Sequence, residues 1–585
     1  MAEKLPKKDV VIVGVGWAGG IIASELTKKG YDVIGLERGK DRDMADYLHG
    51  HDELRYSTRK EMMQDLSKDT VTFRNHTKMT ALPMRQYGAF YPGDGVGGAG
   101  AHWNGQTYRF GPYDFEIRSM TIERYGEGKI PKDMPIQDWG ITYDELQPYF
   151  EKFEAMAGIG GQEDEGPMAP PRRAVFDKNG EKKKYPVGPM KVSPMMKMFM
   201  DATTELGYHP YIVPTANLTE PYTNEDGVSR AACQYCAFCE HYGCEYGAKA
   251  DPVVTVLPVA KQTGKFTVRP HSTVIKVLHT DGKASGVVFR DTITGEEYIQ
   301  EADVVVLTSY VFNNVRLLLN SKLGKPYNPE TQTGVVGKNY CYQVQQSGAS
   351  LFFEDKEFNS YAGAGALGAV IDDFNCDNFD HSDVDFLHGG ALRVMQTGKR
   401  PIATNPVPPI EGLPGWGKEW KAATLKWYHR NISIGGQGAS LPNRYNYLDL
   451  DPTYTDEYGM PLIRMTFNYH DQDKKLSKYL AEKAEEIGKK MNATYIKVNG
   501  LELGDFNIAN YQSTHNTGGV IMGNDPETSA VNSYLQMWDA DNVFVVGASA
   551  FPHNSGYNPT ATVGALAYRA AEGIEKFIKE GGSLV

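Results

Sequence analysis

Asp9-Val10-Val11-Ile12-Val13-Gly14-Val15-Gly16-Trp17-Ala18-Gly19 decides the fold. Asp9 to Val13 is a short apolar run that reads as a buried parallel strand. Gly14, Gly16 and Gly19 follow it at once. Gly20 to Lys29 then fits a helix, with Ile21, Ile22 and Leu26 spaced to face a sheet. Tyr31-Asp32-Val33-Ile34-Gly35-Leu36 reads as the next strand and ends at Glu37. Strand, glycine triplet, helix, strand and acid together make the full dinucleotide fingerprint. The glycines let backbone approach a pyrophosphate, the helix N-terminus stabilises its charge, and Glu37 accepts from ribose hydroxyls. A glycine turn that only packs helix on strand explains less of this pattern. The fingerprint does not separate NAD from FAD.

Working outward, 585 residues are too many for one simple core and predict two domains with interleaved segments. The net charge of −12, with no long basic run, argues against nucleic acid as a partner. No apolar run is long enough to cross a bilayer. Met1 to Lys8 leads straight into a strand, which leaves no room for a secretory signal and, read alone, means cytoplasm. That reading fails if a partner subunit carries the export signal. The segment 160–184, rich in Pro, Gly and charge, reads as a loop or interaction surface.

Four of the six cysteines sit in one run, Cys233-Gln234-Tyr235-Cys236-Ala237-Phe238-Cys239-Glu240-His241-Tyr242-Gly243-Cys244. Thiolates at such short intervals can converge on one inorganic core. A ferredoxin run has three residues before its fourth cysteine and then proline. Here there are four residues, and Glu245 follows. Three readings compete: an iron–sulfur cluster, first because a redox protein that sends single electrons onward needs a relay; a structural zinc site, since four thiolates suit a tetrahedral ion; and buried, reduced thiols with no ligand.

A second glycine segment, Gly93-Asp94-Gly95-Val96-Gly97-Gly98-Ala99-Gly100-Ala101-His102-Trp103-Asn104-Gly105, offers backbone N–H groups to an anion or flat ring. With the fingerprint, it resembles the glucose–methanol–choline (GMC) family of flavin oxidoreductases. Gly97-Gly98 and Asn104-Gly105 match the family's loop over the flavin with one residue extra. The segment Asp138 to Leu146, Thr514-His515-Asn516-Thr517-Gly518 running to Met522-Gly523, and Tyr557-Asn558-Pro559-Thr560 extend the likeness over nearly the whole chain. The cysteine run makes it look like the flavoprotein subunits of bacterial sugar and sugar-acid dehydrogenases of the gluconate 2-dehydrogenase type.

The resemblance implies an α/β fold: a Rossmann-like FAD-binding domain (1–115, 226–345 and 496–585, with the cysteine loop 233–244) interleaved with a substrate domain on an antiparallel sheet, α+β (116–225 and 346–495). The Tyr447 to Pro461 region is assigned to that substrate sheet. It implies FAD held by Gly14, Gly16, Gly19, Glu37, Gly97, Gly98, His102, Asn104, Val274, Gly547, Pro559 and Thr560, with His102 bonded covalently to the flavin 8α carbon. Family members often have Asp where Gly547 stands. It implies oxidation of a secondary alcohol of a sugar, polyol or aldonic acid: His515 takes the hydroxyl proton, Asn558 holds the same hydroxyl, hydride goes to flavin N5, and His553 substitutes in either role or binds substrate. It implies an iron–sulfur cluster on Cys233, Cys236, Cys239 and Cys244, of the three-iron (3Fe–4S) type in preference to 4Fe–4S. It implies a small subunit bearing an export signal, a cytochrome c subunit, and a place on the periplasmic face of the bacterial inner membrane. The alternatives are a soluble pyranose or glycoside 3-oxidase that reduces O2 and has structural cysteines, and a nucleotide-binding assembly protein with a zinc-stapled loop.

Overall fold

A computed structural model describes residues 2–86, 88, 90–162, 184–510 and 513–585. Most of the segment 160–184 therefore lies outside the described residues.

The opening stretch forms the strand Glu3–Val13, whose buried half is Val10 to Val13, and the helix Trp17–Lys28. Parallel neighbours of this strand are Val33–Leu36 on one side and Glu297–Leu307 on the other. Phe266–Arg269 extends the sheet beyond Val33–Leu36, also parallel. The strand Glu297–Leu307 is shared. Its residues 305–307 pair with Val543–Val545 in parallel, while residues 297–301 pair with the antiparallel meander of Lys283–Asp291 and Ser272–Thr280. The apolar runs predicted as buried strands fill the core here: Val11, Ile12, Val305 and Val306 are fully buried, as are Ile21 and Leu26 of the helix laid over them.

The second sheet is antiparallel throughout, in the order Tyr495–Asn499, Gly348–Phe352, Asn431–Gly438, Gly390–Met395, Gly368–Ile371 and Tyr211–Ile212. The helix Asp471–Lys490 covers one face. Leu476, Leu480, Ala484 and Ile487 recur at helical spacing, and all are fully buried in one cluster with Leu351, Leu392 and Val394.

Two expectations about this half are corrected. Tyr495–Asn499 pairs with Gly348–Phe352, so the antiparallel sheet runs past the boundary drawn at residue 496. Tyr447–Thr455 and Pro461–Thr466 do not join it. They form a separate four-stranded sheet with Val71–Arg74 and Leu82–Pro83, through the parallel pair Ile463–Val71 to Thr466–Arg74. Strand pairing depends on partners far away in sequence, so a local motif does not reveal which sheet receives it.

Candidate active site

One cavity of about 900 Å³ collects residues from both sheets. Gly14, Gly16, Glu37 and Val274 line it from the parallel sheet, and so do Gly98, His102 and Asn104 from the second glycine segment. Gly547, Asn558, Pro559 and Thr560 line it from the C-terminal segment, with His515. Two predicted cofactor residues do not reach it. Gly19 packs inside: a Cβ there would stand 2.2 Å from the Gly14 carbonyl oxygen. Gly97 adopts φ +93° and donates its N–H to the Val15 carbonyl (2.8 Å), joining the two glycine loops.

The fingerprint end has the properties a dinucleotide needs. Both Glu37 carboxylate oxygens accept backbone N–H groups, from Val15 (3.0 Å) and Gly39 (3.1 Å), so the acid is held in place with lone pairs to spare. A Cβ on Gly16 would meet no protein atom closer than 3.9 Å, so packing within the protein does not call for glycine there. A close guest does. At the other end the helix Thr560–Glu580 begins at the cavity wall, with the partial positive charge of its N-terminus beside Asn558. His102 is buried, its Nε2 has no protein partner, and burial holds its imidazole well below the ordinary histidine range. These features fit FAD.

The deepest polar set surrounds His515, and its hydrogen bonds determine the tautomer. Gln343 donates its Nε2 hydrogens to the carbonyls of Ser555 (2.7 Å) and Tyr557 (3.0 Å), which turns its oxygen toward His515. His515 Nδ1 lies 2.6 Å from that oxygen and must donate. On the far side, Asn558 Oδ1 accepts from Arg393 Nη1 (3.0 Å) and Gln437 Nε2 (3.2 Å). The Asn558 amide nitrogen is thereby turned to His515 Nε2, at 3.4 Å. Nε2 is therefore the bare nitrogen of a neutral imidazole, ready to take a proton. Burial, helped by the Arg393 guanidinium, pushes this imidazole down to about 3.

His553 is not part of this set and does not line the cavity. It belongs to a buried group in which His388 Nε2 and His553 Nε2 stand 2.6 and 3.7 Å from Asp114 Oδ1. Trp139 Nε1 donates to His553 Nδ1 (3.2 Å), which leaves the hydrogen of a neutral His553 on Nε2, toward the acid. A ring whose second nitrogen accepts a hydrogen bond has no lone pair left for a metal. Burial works against the Asp114 anion, but the two imidazoles hold its carboxyl well below the usual carboxylate range. His388 is buried in this group and serves the fold. His553 joins it, which corrects its catalytic assignment.

The cysteine run leaves the regular sheets and packs against the cofactor loop. Lys249, fully buried, donates to the carbonyls of Trp103 (2.7 Å) and Ala101 (3.3 Å) on one side, and of Cys239 (2.8 Å) and Tyr242 (2.7 Å) on the other. His241 N–H adds a bond to the His102 carbonyl (2.8 Å). Three non-glycine residues in the run, Tyr235, Ala237 and His241, have φ of 53°, 71° and 78°. Such left-handed residues persist only where their surroundings over-determine them. Donors to sulfur are supplied locally: Tyr235 N–H points at Cys233 Sγ (3.4 Å) and Asn217 Nδ2 at Cys239 Sγ (3.6 Å). Burial pushes the Cys233 thiol up to about 12 and that of Cys239 up to about 11.

A single tetrahedral zinc with bonds of about 2.3 Å holds its sulfurs about 3.8 Å apart. Among the described residues, the one group of three or more His, Cys, Asp or Glu ligand atoms within 4.8 Å of one another is Asp114, His388 and His553. No three of the Cys233, Cys236, Cys239 and Cys244 sulfurs fall within that distance of one another.

Sequence reasoning missed Arg393, Gln343 and Lys249. For Arg393 a signal existed: it is a lone charge in the apolar strand segment Ala391-Leu392-Arg393-Val394. The glutamine carries none, because its role is an orientation.

Comparison with known proteins agrees with this geometry. The GMC oxidoreductase profiles match residues 136–345 and 442–567. The gluconate 2-dehydrogenase flavoprotein of Pantoea cypripedii is 43% identical over 100% of this chain and 96% of its own. The 2-methyl-1,2-propanediol dehydrogenase of Mycolicibacterium austroafricanum is 28% identical over 98% of this chain and 96% of its own. Formate oxidase of Aspergillus oryzae shares the fold, with a TM-score of 0.62 at 14% identity and 99% of both chains covered. The chain is a flavin-dependent oxidoreductase and belongs to the GMC oxidoreductase family.

Proposed function

We propose that this chain is an FAD-dependent dehydrogenase that oxidises a secondary alcohol of a sugar, polyol or aldonic acid, in the manner of gluconate 2-dehydrogenase. The observation that carries the reading is the fixed tautomer of His515, whose bare Nε2 faces the Asn558 amide at the cavity. An alcohol C–H gives up its electrons readily only as the hydroxyl loses its proton. His515 Nε2 takes that proton, and Asn558 holds the oxygen. Gln343 keeps Nδ1 hydrogen-bonded, so the ring cannot turn its protonated nitrogen to the substrate. Bound FAD supplies a two-electron acceptor. A general base of this kind contributes roughly 10²–10⁴-fold to the rate.

The finer part of the proposal concerns the electrons. Cys233, Cys236, Cys239 and Cys244 would hold an iron–sulfur cluster, the three-iron form using three of them, which would supply one-electron carriage. The N–H groups aimed at sulfur and the Lys249 and His241 bonds to the His102 loop support this. A cytochrome c subunit would accept the electrons, and a small subunit with an export signal would take the complex to the periplasmic face of the inner membrane. No helix of the described residues is long and apolar enough to cross a membrane, so attachment would go through partners.

One preparation tests both parts. Anaerobic addition of aldonate, aldose and alditol should bleach the flavin bands with at least one of them. Iron near three or four per chain, without zinc, supports the cluster, and a chain free of iron after anaerobic purification sinks it. Yellow colour that stays with acid-precipitated protein supports the bond through His102.

A further inference from the structure

Arg393 sits on the strand Gly390–Met395 between two fully buried residues, Leu392 and Val394, and its side chain lines the cavity. Three of its five N–H groups are taken by neutral amide oxygens: Gln106 (2.7 Å) and Asn558 (3.0 Å) from Nη1, and Gln437 (2.6 Å) from Nη2. Nε–H and one Nη2 hydrogen remain, with the Tyr108 hydroxyl alongside. No ion pair joins this guanidinium to a carboxylate of the described residues; the buried Glu240, which lines the same cavity, is the acid whose charge acts on it. Burial lowers its proton affinity, a sign of a cation short of a counter-charge. Such a charge is costly to keep unless the guest of the cavity is an anion.

We propose that Arg393 is the carboxylate receptor of the site and restricts it to 2-hydroxy acids, thereby fixing which carbon is oxidised. The proposal rests on the alcohol-oxidising reading above and names its substrate class. Arg393 and His515 are bridged by a single side chain, Asn558, which accepts from one and lies beside Nε2 of the other. In a 2-hydroxy acid the hydroxyl and carboxylate are on neighbouring carbons. A carboxylate on the free edge of Arg393 therefore brings its own α-hydroxyl to His515, and hydroxyls further along the chain fall elsewhere. R–CH(OH)–COO⁻ loses the hydroxyl proton to His515 Nε2, and its C–H hydrogen leaves with the bonding electron pair to bound FAD. R–CO–COO⁻ and two-electron-reduced cofactor result. The anion also screens His515 from the guanidinium, which makes the imidazole a better proton acceptor once substrate is in place. A guanidinium with two parallel donors suits this task better than an ammonium.

The test compares D-gluconate with D-glucitol, the alditol of equal length, on the flavin-loaded enzyme. Wild type should favour gluconate by about 100-fold in kcat/KM, the size expected for a charge-assisted pair. Titration with acetate, a carboxylate without a hydroxyl to oxidise, followed by the flavin absorbance shift, should saturate for wild type and fail for Arg393→Gln, with Arg393→Lys between them. Equal kcat/KM for the two donors would overturn the carboxylate receptor while the alcohol-dehydrogenase reading stands. Failure of every alcohol to bleach the flavin would instead remove that reading. An Arg393→Gln enzyme that loses both donors in equal proportion, and still shows the acetate shift, would make Arg393 a positioning residue for Asn558 alone. Should the variants not fold, the donor ratio of wild type decides by itself.

Discussion

Arg109 and Arg393 are two buried cations with opposite surroundings. Arg109 meets Glu154 through both Nε (2.8 Å) and Nη2 (2.9 Å), with the Tyr143 hydroxyl on Nη1. Burial alone would lower its proton affinity, but the Glu154 charge carries it above the ordinary arginine range. Arg393 has amide oxygens and the Tyr108 hydroxyl around it, with no ion pair among the described residues, and stays below that range. The first pair is complete in the protein and pins the helix Tyr143–Ala157 to the loop after the cofactor segment. The second lacks an anion and borders the cavity. A buried charge that the protein neutralises serves the fold; one that it leaves for a guest serves recognition.

The largest effect should come from breaking the complete pair. Glu154→Gln leaves Arg109 buried without its counter-ion and should cost about 3–5 kcal/mol in denaturant unfolding. Arg393→Gln should move the same unfolding curve far less, because its partners are neutral amides. Equal losses would erase the distinction between the two arginines. Next comes the base: His515→Ala should slow anaerobic flavin reduction by roughly 10²–10⁴-fold, and full reduction rates would end the assignment. A subtler change converts the second arginine toward the first. Gln437→Glu offers Arg393 a carboxylate, and should weaken gluconate by about tenfold in kcat/KM, as expected when a fixed acid competes with the substrate anion. Unchanged selectivity would count against the free-edge argument.

The smallest effect concerns pH. His515 is held at about 3 in the fold and would take a proton near the ordinary histidine value of about 6.5 once unfolded. Between those values the unfolded chain binds more protons, so this residue lends no penalty above about pH 6.5 and draws stability down as pH falls toward 3. In His515→Gln the acid-side decline in melting temperature should be shallower than in wild type. The same low value predicts a gluconate kcat/KM without an acid limb from His515 between pH 8 and 5, read by stopped-flow flavin reduction.

The cofactor half was legible because its evidence is local. A turn, a pyrophosphate approach and a ribose acid need glycines and a carboxylate at short, fixed offsets, and Gly14, Gly16 and Glu37 all line the cavity. His515 and Asn558 were found through motifs and stand 3.4 Å apart at the nearest atoms. His553 was misread because nearness in sequence to Asn558 does not mean nearness to the cavity; the chain between them turns His553 toward Trp139 and Asp114. The strands near Asp449 were put in the wrong sheet because their partner, Val71–Arg74, lies hundreds of residues away.

Resemblance to the GMC family pointed to the pair His515 and Asn558; the sequence by itself determined the dinucleotide fold and the crowding of four thiols into one loop. Each follows from short-range pattern, where residue type and spacing already constrain the backbone. The tertiary structure alone decided which nitrogen of His515 is bare, that Lys249 staples the cysteine run to the His102 loop, and that Arg393 faces the cavity without an ion pair among the described residues. Those facts depend on side chains brought together from distant segments, and on which way each amide and imidazole is turned by the hydrogen bonds around it.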